Sequence, residues 1–291
     1  MPDSCLVCDA RQFEPHLGIL RRCRNCGFIT APVDEAIDPA TLYGEAYFRG
    51  EEYLDYAADE AFIKRTLRPR LDALLAQRRG GRLLEIGAAY GFFLDLARPH
   101  FDVVGFEISP AASAHARQRL GLDVRSEDFT RTGLDGVGPV DATVMWDVIE
   151  HLERPDRVIA RVAALSKPGA LLFITTGDIG SAVARWRGQR WRLIHPPTHL
   201  HYFSRPTITR LLERHGFQVR DIRAVPVVRS LRQMAYSILA LRLGQRRAYA
   251  ALERLIPATA GLTLNTYDIM QVTAVRTASS ERTVATDYTD H

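Results

Sequence analysis

Four cysteines fall within the first 26 residues as Cys5-x-x-Cys8 and Cys23-x-x-Cys26. Each short pair turns two sulfurs toward one point, and two such pairs make a tetrathiolate site of the ribbon kind. Gly27 supplies the tight bend after the second pair. Four thiolates match zinc, with iron of the rubredoxin sort as the alternative. Two disulfides or four free thiols are the other readings. The sequence shows no export signal and no fifth cysteine, which favours a metal. With sulfur in every ligand position, that metal would be structural rather than catalytic. A second constellation gathers His195, His199 and His201 with Trp186, Trp191 and Tyr202. Imidazole titrates near neutral pH, so a histidine here could take the proton of a hydroxyl nucleophile. His199 or His201 is the expected base, and Tyr202 joins them as a catalytic candidate. The plainer reading is that these histidines hold a loop through backbone hydrogen bonds. In an alternating extended segment His199 and His201 share one face, Leu200 and Tyr202 the other. Trp186 and Trp191 could form a stacking wall for an aromatic or sugar ring.

The elements that must position these groups begin at Leu83 to Ser109. An apolar run (Leu83, Leu84, Ile86) breaks into a turn at Gly87 to Gly91, a helical pattern follows, and a second apolar run ends on Glu107. Strand, glycine turn, helix, strand and acid open a nucleotide-binding sheet, with the acid placed to accept both ribose hydroxyls. A dinucleotide fingerprint would need glycines at 87, 89 and 92, where the chain has Gly87, Ala89 and Phe92, so NAD is disfavoured.

The pattern Glu85-x-Gly87-x-x-x-Gly91, followed by a strand ending in Glu107, resembles the S-adenosylmethionine site of class I methyltransferases; the family's usual middle glycine is Ala89 here. The segment Asp147-Val148-Ile149-Glu150-His151-Leu152 closely resembles methyltransferases of the ubiquinone-biosynthesis O-methyl type. The H-L-x-x-F-S run at His199 to Ser204 also recurs in that family. The implied fold is α/β, a Rossmann-like class I methyltransferase sheet, mostly parallel with an antiparallel closing strand, behind a small N-terminal zinc ribbon. The implied cofactor is S-adenosylmethionine, met by Glu85, Gly87, Ala88, Gly91, Glu107, Ile108, Asp128, Phe129, Trp146, Asp147 and Tyr56. In that scheme Asp128 holds the adenine amino group, with Glu127 as the one-residue alternative, and Phe129 lies against the ring. Some relatives hold a divalent ion at the Glu150-His151 place. With no second histidine three or four residues on, a loop-orienting role is preferred.

The remaining expectations concern organisation. The ribbon spans 1–35, and an aromatic linker or lid with Tyr43, Tyr47, Phe48, Tyr53 and Tyr56 spans 36–60, unless those rings merely pack the ribbon onto the main domain. The methyltransferase domain spans 61–276. Helical spacing from Phe62 to Leu75 predicts a helix before the first strand. Phe217–Val225 and Ile269–Arg276 read as an antiparallel closing pair. Residues 227–262 read as one or two helices mixing leucines with arginines, within a cap insertion placed at 227–265. They are a packing cap or, as the sharper alternative, a membrane-surface contact for a lipid-linked substrate. Residues 277–291 read as a disordered tail.

With 46% hydrophobic and 25% charged residues the composition is that of an ordinary globular protein. The net charge of +4 is carried almost wholly by arginine, spread evenly without aromatic interleaving. Nucleic acid is therefore a disfavoured partner, and a cytoplasmic location is the default. The expected reaction is O-methylation of a small hydroxylated acceptor such as a glycan, a nucleotide sugar or a related metabolite. A sugar C-methyltransferase, or a non-catalytic binding module on the same fold, is the alternative.

Overall fold

The computed structural model describes residues 4–32, 39–50 and 53–278, so from residue 279 on the expected tail lies outside the described residues. Strands β1 (Phe13–His16), β2 (Leu20–Cys23) and β3 (Ile29–Thr30) form the antiparallel ribbon. Two single-turn helices, α1 (Pro39–Leu42) and α2 (Glu45–Phe48), lead to α3 (Glu60–Leu75). On α3 the spacing of Phe62, Leu67, Leu71 and Leu74 buries one face, as amphipathic periodicity requires.

Alternation then begins with β4 (Arg82–Ile86), α4 (Phe92–Ala97), β5 (Asp102–Phe106) and α5 (Pro110–Leu120). Ser109 caps α5, Pro110 occupies its first turn, and Gly121 ends it in the left-handed region. Next come β6 (Val124–Arg125), β7 (Val140–Trp146), α6 (Pro155–Leu165) and β8 (Ser166–Gly177). Strand β8 is longer than the expected Ala170–Thr175, because pairing with β7 resumes across an irregularity after Val140. Helix α7 (Ala182–Arg187), β9 (His201–Tyr202), α8 (Arg205–Arg214) and β10 (Phe217–Ala224) follow.

The main sheet has the order β10-β13-β8-β7-β4-β5-β6, where β13 is Ile269–Arg276. Strands β4 to β8 in this sheet pair in parallel, while β13 runs against both β8 and β10. The expected closing pair is thus refined: β13 alone is reversed, and β10 runs with the others. Every residue of β7 is buried, and Leu83, Leu84, Val144, Met145, Phe173 and Ile174 are wholly enclosed. Each such apolar side chain is worth roughly 1.5–3 kcal/mol of burial. Chain order reverses across β4, with β5 on one side and β7 on the other, which places the ligand crevice at the carboxyl ends of these strands.

Two expectations change. The ribbon sheet runs on into the main domain: β3 pairs with β9, giving a four-stranded sheet β1-β2-β3-β9. Cys5, Leu6, Val7, Cys23 and Phe28 share one core cluster with Ile86, Ile149 and Phe203. Residues 227–262 are also more than helices. Strands β11 (Val227–Ser230) and β12 (Gly261–Leu264) pair with each other and enclose α9 (Leu231–Ala235), a π-helical stretch Tyr236–Arg242, and α10 (Arg246–Glu253). The inner side of this insertion packs Tyr236 against Tyr249 at 5.4 Å, and the Tyr236 hydroxyl donates to the Gly50 carbonyl. Its outer side exposes Ile238, Leu243 and Leu255. No helix among the described residues is long and apolar enough to cross a membrane.

Candidate active site

The cofactor side is built by the turn between β4 and α4. Gly87 has φ +73°, and a Cβ there would stand 2.5 Å from Val148 Cγ2. Only glycine lets this turn touch the loop after β7. At Gly91, φ +81°, a Cβ would meet Leu122 Cδ1 at 2.7 Å and Ala116 Cβ at 3.0 Å, so the start of α4 lies directly against α5 and the residue just past its end. Ala89, in the place of the usual glycine, adopts φ +46°, a region costly for a side chain. What fixes it there is Glu107: the Ala89 N–H donates to Glu107 Oε2 at 2.7 Å, and the Ser109 N–H donates to Oε1 at 2.8 Å. Burial pushes the Glu107 carboxyl up, against the pull of these N–H groups. Each oxygen keeps one lone pair for a further donor, which fits the two hydroxyls of a ribose. Ala88 is buried beside this turn, and Ile108 is half-buried just past the end of β5.

Glu85 is buried on β4, and its Oε2 has no hydrogen-bond partner among the described residues. Burial, then the neighbouring Glu107, pushes its carboxyl well above the usual range. A buried acid beside the turn with one oxygen unpaired among the described residues fits a ligand carrying a cation. Asp147 follows β7 with φ +57°, and its Oδ2 lies 3.4 Å from Arg70 Nη1. Arg70 was not singled out from sequence. Its guanidinium is buried on α3, donates to Thr175 Oγ1 at 3.2 Å, and lies over the Trp146 ring at 5.2 Å. The signal was available: Arg70 falls three residues after Leu67, on the face that the helix buries.

The lid aromatics form one network. Tyr56 stacks on Phe92 with an interplanar angle of 4°, and meets Phe48, Tyr53 and Tyr90 within 5.3 Å. Burial raises its phenol, and so do Tyr53, Glu85, Glu107 and Asp147. Tyr56 therefore lies near Glu85, Glu107 and Asp147. Other expected residues stand differently. Phe129 is buried in the main core against Phe106 at 5.1 Å, with Arg161 over its ring; it does not present a face to an adenine. Trp146 is enclosed by Phe93 and Phe173. Asp128 Oδ1 is occupied by the Thr130 N–H and hydroxyl, both at 2.7 Å, which leaves Oδ2 toward Arg131.

The acceptor side joins residues far apart in sequence. The His151 ring meets the His199 ring edge-on at 4.7 Å, and Glu150, His151 and His199 bring one ligating atom each within 4.8 Å of one another. His151 Nδ1 lies 2.8 Å from the Thr198 carbonyl, and His199 Nδ1 lies 2.8 Å from the Leu193 carbonyl. A carbonyl only accepts, so both Nδ1 atoms carry the proton and both Nε2 lone pairs are free. Burial lowers His151 to about 4 and His199 to about 3, so both rings are neutral. Glu150 Oε2 has no partner, and burial, then Asp147, raises its carboxyl to about 8. Tyr43 sits between the two sides. Its hydroxyl is 3.0 Å from His151 Nδ1 and donates to the Thr198 carbonyl at 3.3 Å, and its phenol is raised by burial, then by Glu150 and Glu107.

The expected base at His201 and the role of Tyr202 do not survive this geometry. His201 is 1% exposed, with Nδ1 engaged by Thr30 Oγ1 at 3.1 Å and Nε2 by the Glu153 carbonyl at 3.4 Å. Tyr202 is buried on the opposite side of β9 with Leu20, Ile29 and Trp191, and its hydroxyl donates to the His199 carbonyl at 3.0 Å. The tryptophan wall also dissolves: Trp186 is exposed, while Trp191 is buried and donates from Nε1 to Asp268 Oδ2 at 2.8 Å. In the ribbon, Cys5 and Cys26 sulfurs are 3.5 Å apart and Cys8 and Cys23 sulfurs 3.6 Å. These separations exceed a disulfide's and suit four thiolates around one ion. The hydrogen bond with Cys5 pulls the Cys26 thiol down to about 5.

A seven-stranded sheet with one reversed strand, a glycine turn after its first strand and an acid closing the next define a class I methyltransferase fold. The chain belongs to the methyltransferase-domain family, whose model matches residues 59–222. Among curated proteins it is similar to a ubiquinone biosynthesis O-methyltransferase of Caulobacter vibrioides, 33% identical over 126 residues, covering 40% of this chain and 50% of that one. A ubiquinone biosynthesis O-methyltransferase of Xanthomonas axonopodis is 27% identical over 156 residues, 49% of this chain and 65% of that one. The chain thus spans about half the length of the first curated relatives it matches. Magnesium protoporphyrin IX methyltransferase from Synechocystis shares the fold, with a TM-score of 0.52 at 14% identity, covering 84% of this chain and 100% of that structure.

Proposed function

We propose that this protein transfers the methyl group of S-adenosylmethionine to a hydroxyl oxygen of a small acceptor, and that the cysteine ribbon holds a structural zinc ion. The observation that carries the oxygen acceptor is the Glu150–His151–His199 trio, two neutral imidazoles and a buried carboxyl with one oxygen unpartnered among the described residues, beside the loop that touches Gly87. The names of the ubiquinone O-methyltransferase relatives support the same acceptor atom.

The cofactor supplies an electrophilic methyl on a sulfonium whose charge disappears on transfer. The chain's own task is then alignment, exclusion of water and removal of one proton. Glu107 would hold the ribose hydroxyls, Glu85 and Asp147 would meet the cofactor's charged end, and the Tyr56 network would exclude water. His199 Nε2 receives the acceptor's hydroxyl proton, and its Nδ1–H bond to the Leu193 carbonyl holds the ring in the accepting tautomer. Burial makes His199 a weak base, and this favours a second reading of the same trio. Two free Nε2 lone pairs and a buried carboxylate oxygen suit a divalent cation, which would acidify the acceptor hydroxyl. Hydroxylated sugars, nucleotide sugars and related metabolites fit as acceptors.

Calorimetry with S-adenosylmethionine, S-adenosylhomocysteine and NAD tests the cofactor assignment. Binding of the first two and not the third is expected; the reverse removes the proposal. Addition of magnesium or manganese to protein with an intact ribbon separates base from cation. Methyl transfer that needs the added ion selects the cation.

A further inference from the structure

Three segments distant in sequence meet at one seam between the ribbon and the acceptor side. Strand β3 pairs with β9 as Ile29↔Tyr202 and Thr30↔His201, and the Ala31 N–H donates to the Leu200 carbonyl at 2.8 Å. The other side of the same two residues holds the acceptor loop: the Leu200 and His201 N–H groups both donate to the Glu150 carbonyl, at 2.9 and 3.1 Å. His199 immediately precedes this doubly held strand. Glu150 and His199 thus take their places from a strand that is itself placed by the ribbon.

The side chains at the seam are matched as closely as the backbones. His201 Nε2 faces the Glu153 carbonyl, which only accepts, so the proton resides on Nε2 and Nδ1 is left as an acceptor. Thr30 Oγ1, at 3.1 Å, faces that lone pair, and its single proton is shared among Nδ1, the Ala31 carbonyl at 3.1 Å and the Leu200 carbonyl at 3.2 Å. Phe28, two residues past Cys26, packs on the His201 ring at 5.5 Å and on Phe203 at 5.3 Å. We propose that the ribbon is the outer support of the acceptor site, and that Thr30 is a positioning residue which sets Glu150 and His199 through His201. The word acceptor here rests on the methyl-transfer reading; the mechanical linkage does not. A ribbon that merely added packing would supply stability without needing a hydroxyl at residue 30. Removing that hydroxyl leaves the buried Nδ1 lone pair unmatched, so the ring must turn or change tautomer, and β9 with it.

The test uses the full chain with its ribbon metal in place and Thr30→Val, which keeps the branched shape and removes the donor. Imidazole nitrogen signals of His151, His199 and His201, amide exchange over residues 199–203, zinc content and S-adenosylhomocysteine affinity are read together. Expected are unchanged zinc content, cofactor affinity within about twofold, displaced His199 and His201 signals, and exchange at 199–203 faster by about tenfold or more. Thr30→Ser, which restores the hydroxyl, returns the signals. Unmoved His199 signals and wild-type exchange in Thr30→Val overturn the proposal, as does failure of Thr30→Ser to restore them. If Thr30→Val does not fold, His201→Phe repeats the measurement with a ring of similar size that carries neither donor nor acceptor, and unmoved His199 signals again overturn it. Wild-type protein that binds no cofactor removes the methyltransferase reading instead, because the imidazole and exchange readouts need no ligand.

Discussion

The two halves of the site are built in opposite ways. The proposed cofactor half is local: Glu85, Gly87, Gly91 and Glu107 lie on strand β4, the turn after it and the end of the adjacent β5, and the backbone of that unit places them. The acceptor half that we propose is assembled from Tyr43, Glu150, His151 and His199, beside strand β9, which pairs with β3 of the ribbon. A local unit fixes a constant partner with few contacts. An assembled one can change its acceptor by altering any contributing segment while the cofactor grip stays as it is.

That difference can be broken from either side. The largest effect is expected at His199. Replacement by Gln should lower methyl transfer by roughly 10²–10⁴-fold, with S-adenosylhomocysteine affinity unchanged in calorimetry. A matching loss of cofactor binding would mean that the halves are not separable. Glu107→Ala should do the reverse, lowering cofactor affinity by roughly 100-fold through two charge-assisted hydrogen bonds. Native imidazole signals at His151 and His199 should persist in that variant.

A smaller effect concerns the anchor of the acceptor loop. Asp268 is buried. Although burial pushes its carboxyl up, hydrogen bonds from Thr266 and Trp191 and the charge of Arg192 hold it below the usual range. A depressed folded pKa adds stability that is fully present above the unfolded value of about 3.9. It is lost as pH falls through the folded value. Trp191→Phe should cost about 1–3 kcal/mol at neutral pH and flatten that acid-side loss, as denaturant melts at pH 7 and pH 3 would show. Least affected should be Trp186→Ala. The ring is 81% exposed, and a change within about 0.5 kcal/mol is expected. A larger fall in transfer would restore an acceptor contact there.

What could be read from sequence follows the same division. The span from Glu85 to Glu107 was legible because its chemistry and its periodicity occupy one continuous stretch, and the four cysteines because their spacing is itself the geometry. His151 and His199 could be named singly but not joined, since nothing in one linear sequence says that residues so far apart face each other. The two-residue strand β9 carries no periodic signal, and its partner β3 lies at the far end of the chain. Phe129 and Trp191 were misplaced for a related reason: an aromatic side chain serves a core and a ligand wall equally well, and residue type does not choose between them. Arg70 is not legible as a site residue in one sequence, because helical spacing places it on the buried face without saying which acid or ring it meets.

Strand β13 has a consequence for how the molecule is made. It sits between β8 and β10 although it is later in the chain than both, so during synthesis the apolar edge at Leu171–Thr176 stays open until residues 269–276 leave the ribosome. An uncovered edge of that kind invites pairing with another nascent chain. The β11–β12 insertion lengthens the wait. Slow emergence of this last strand, at low temperature or high expression, should therefore set the yield of native protein more strongly than any single contact in the finished core.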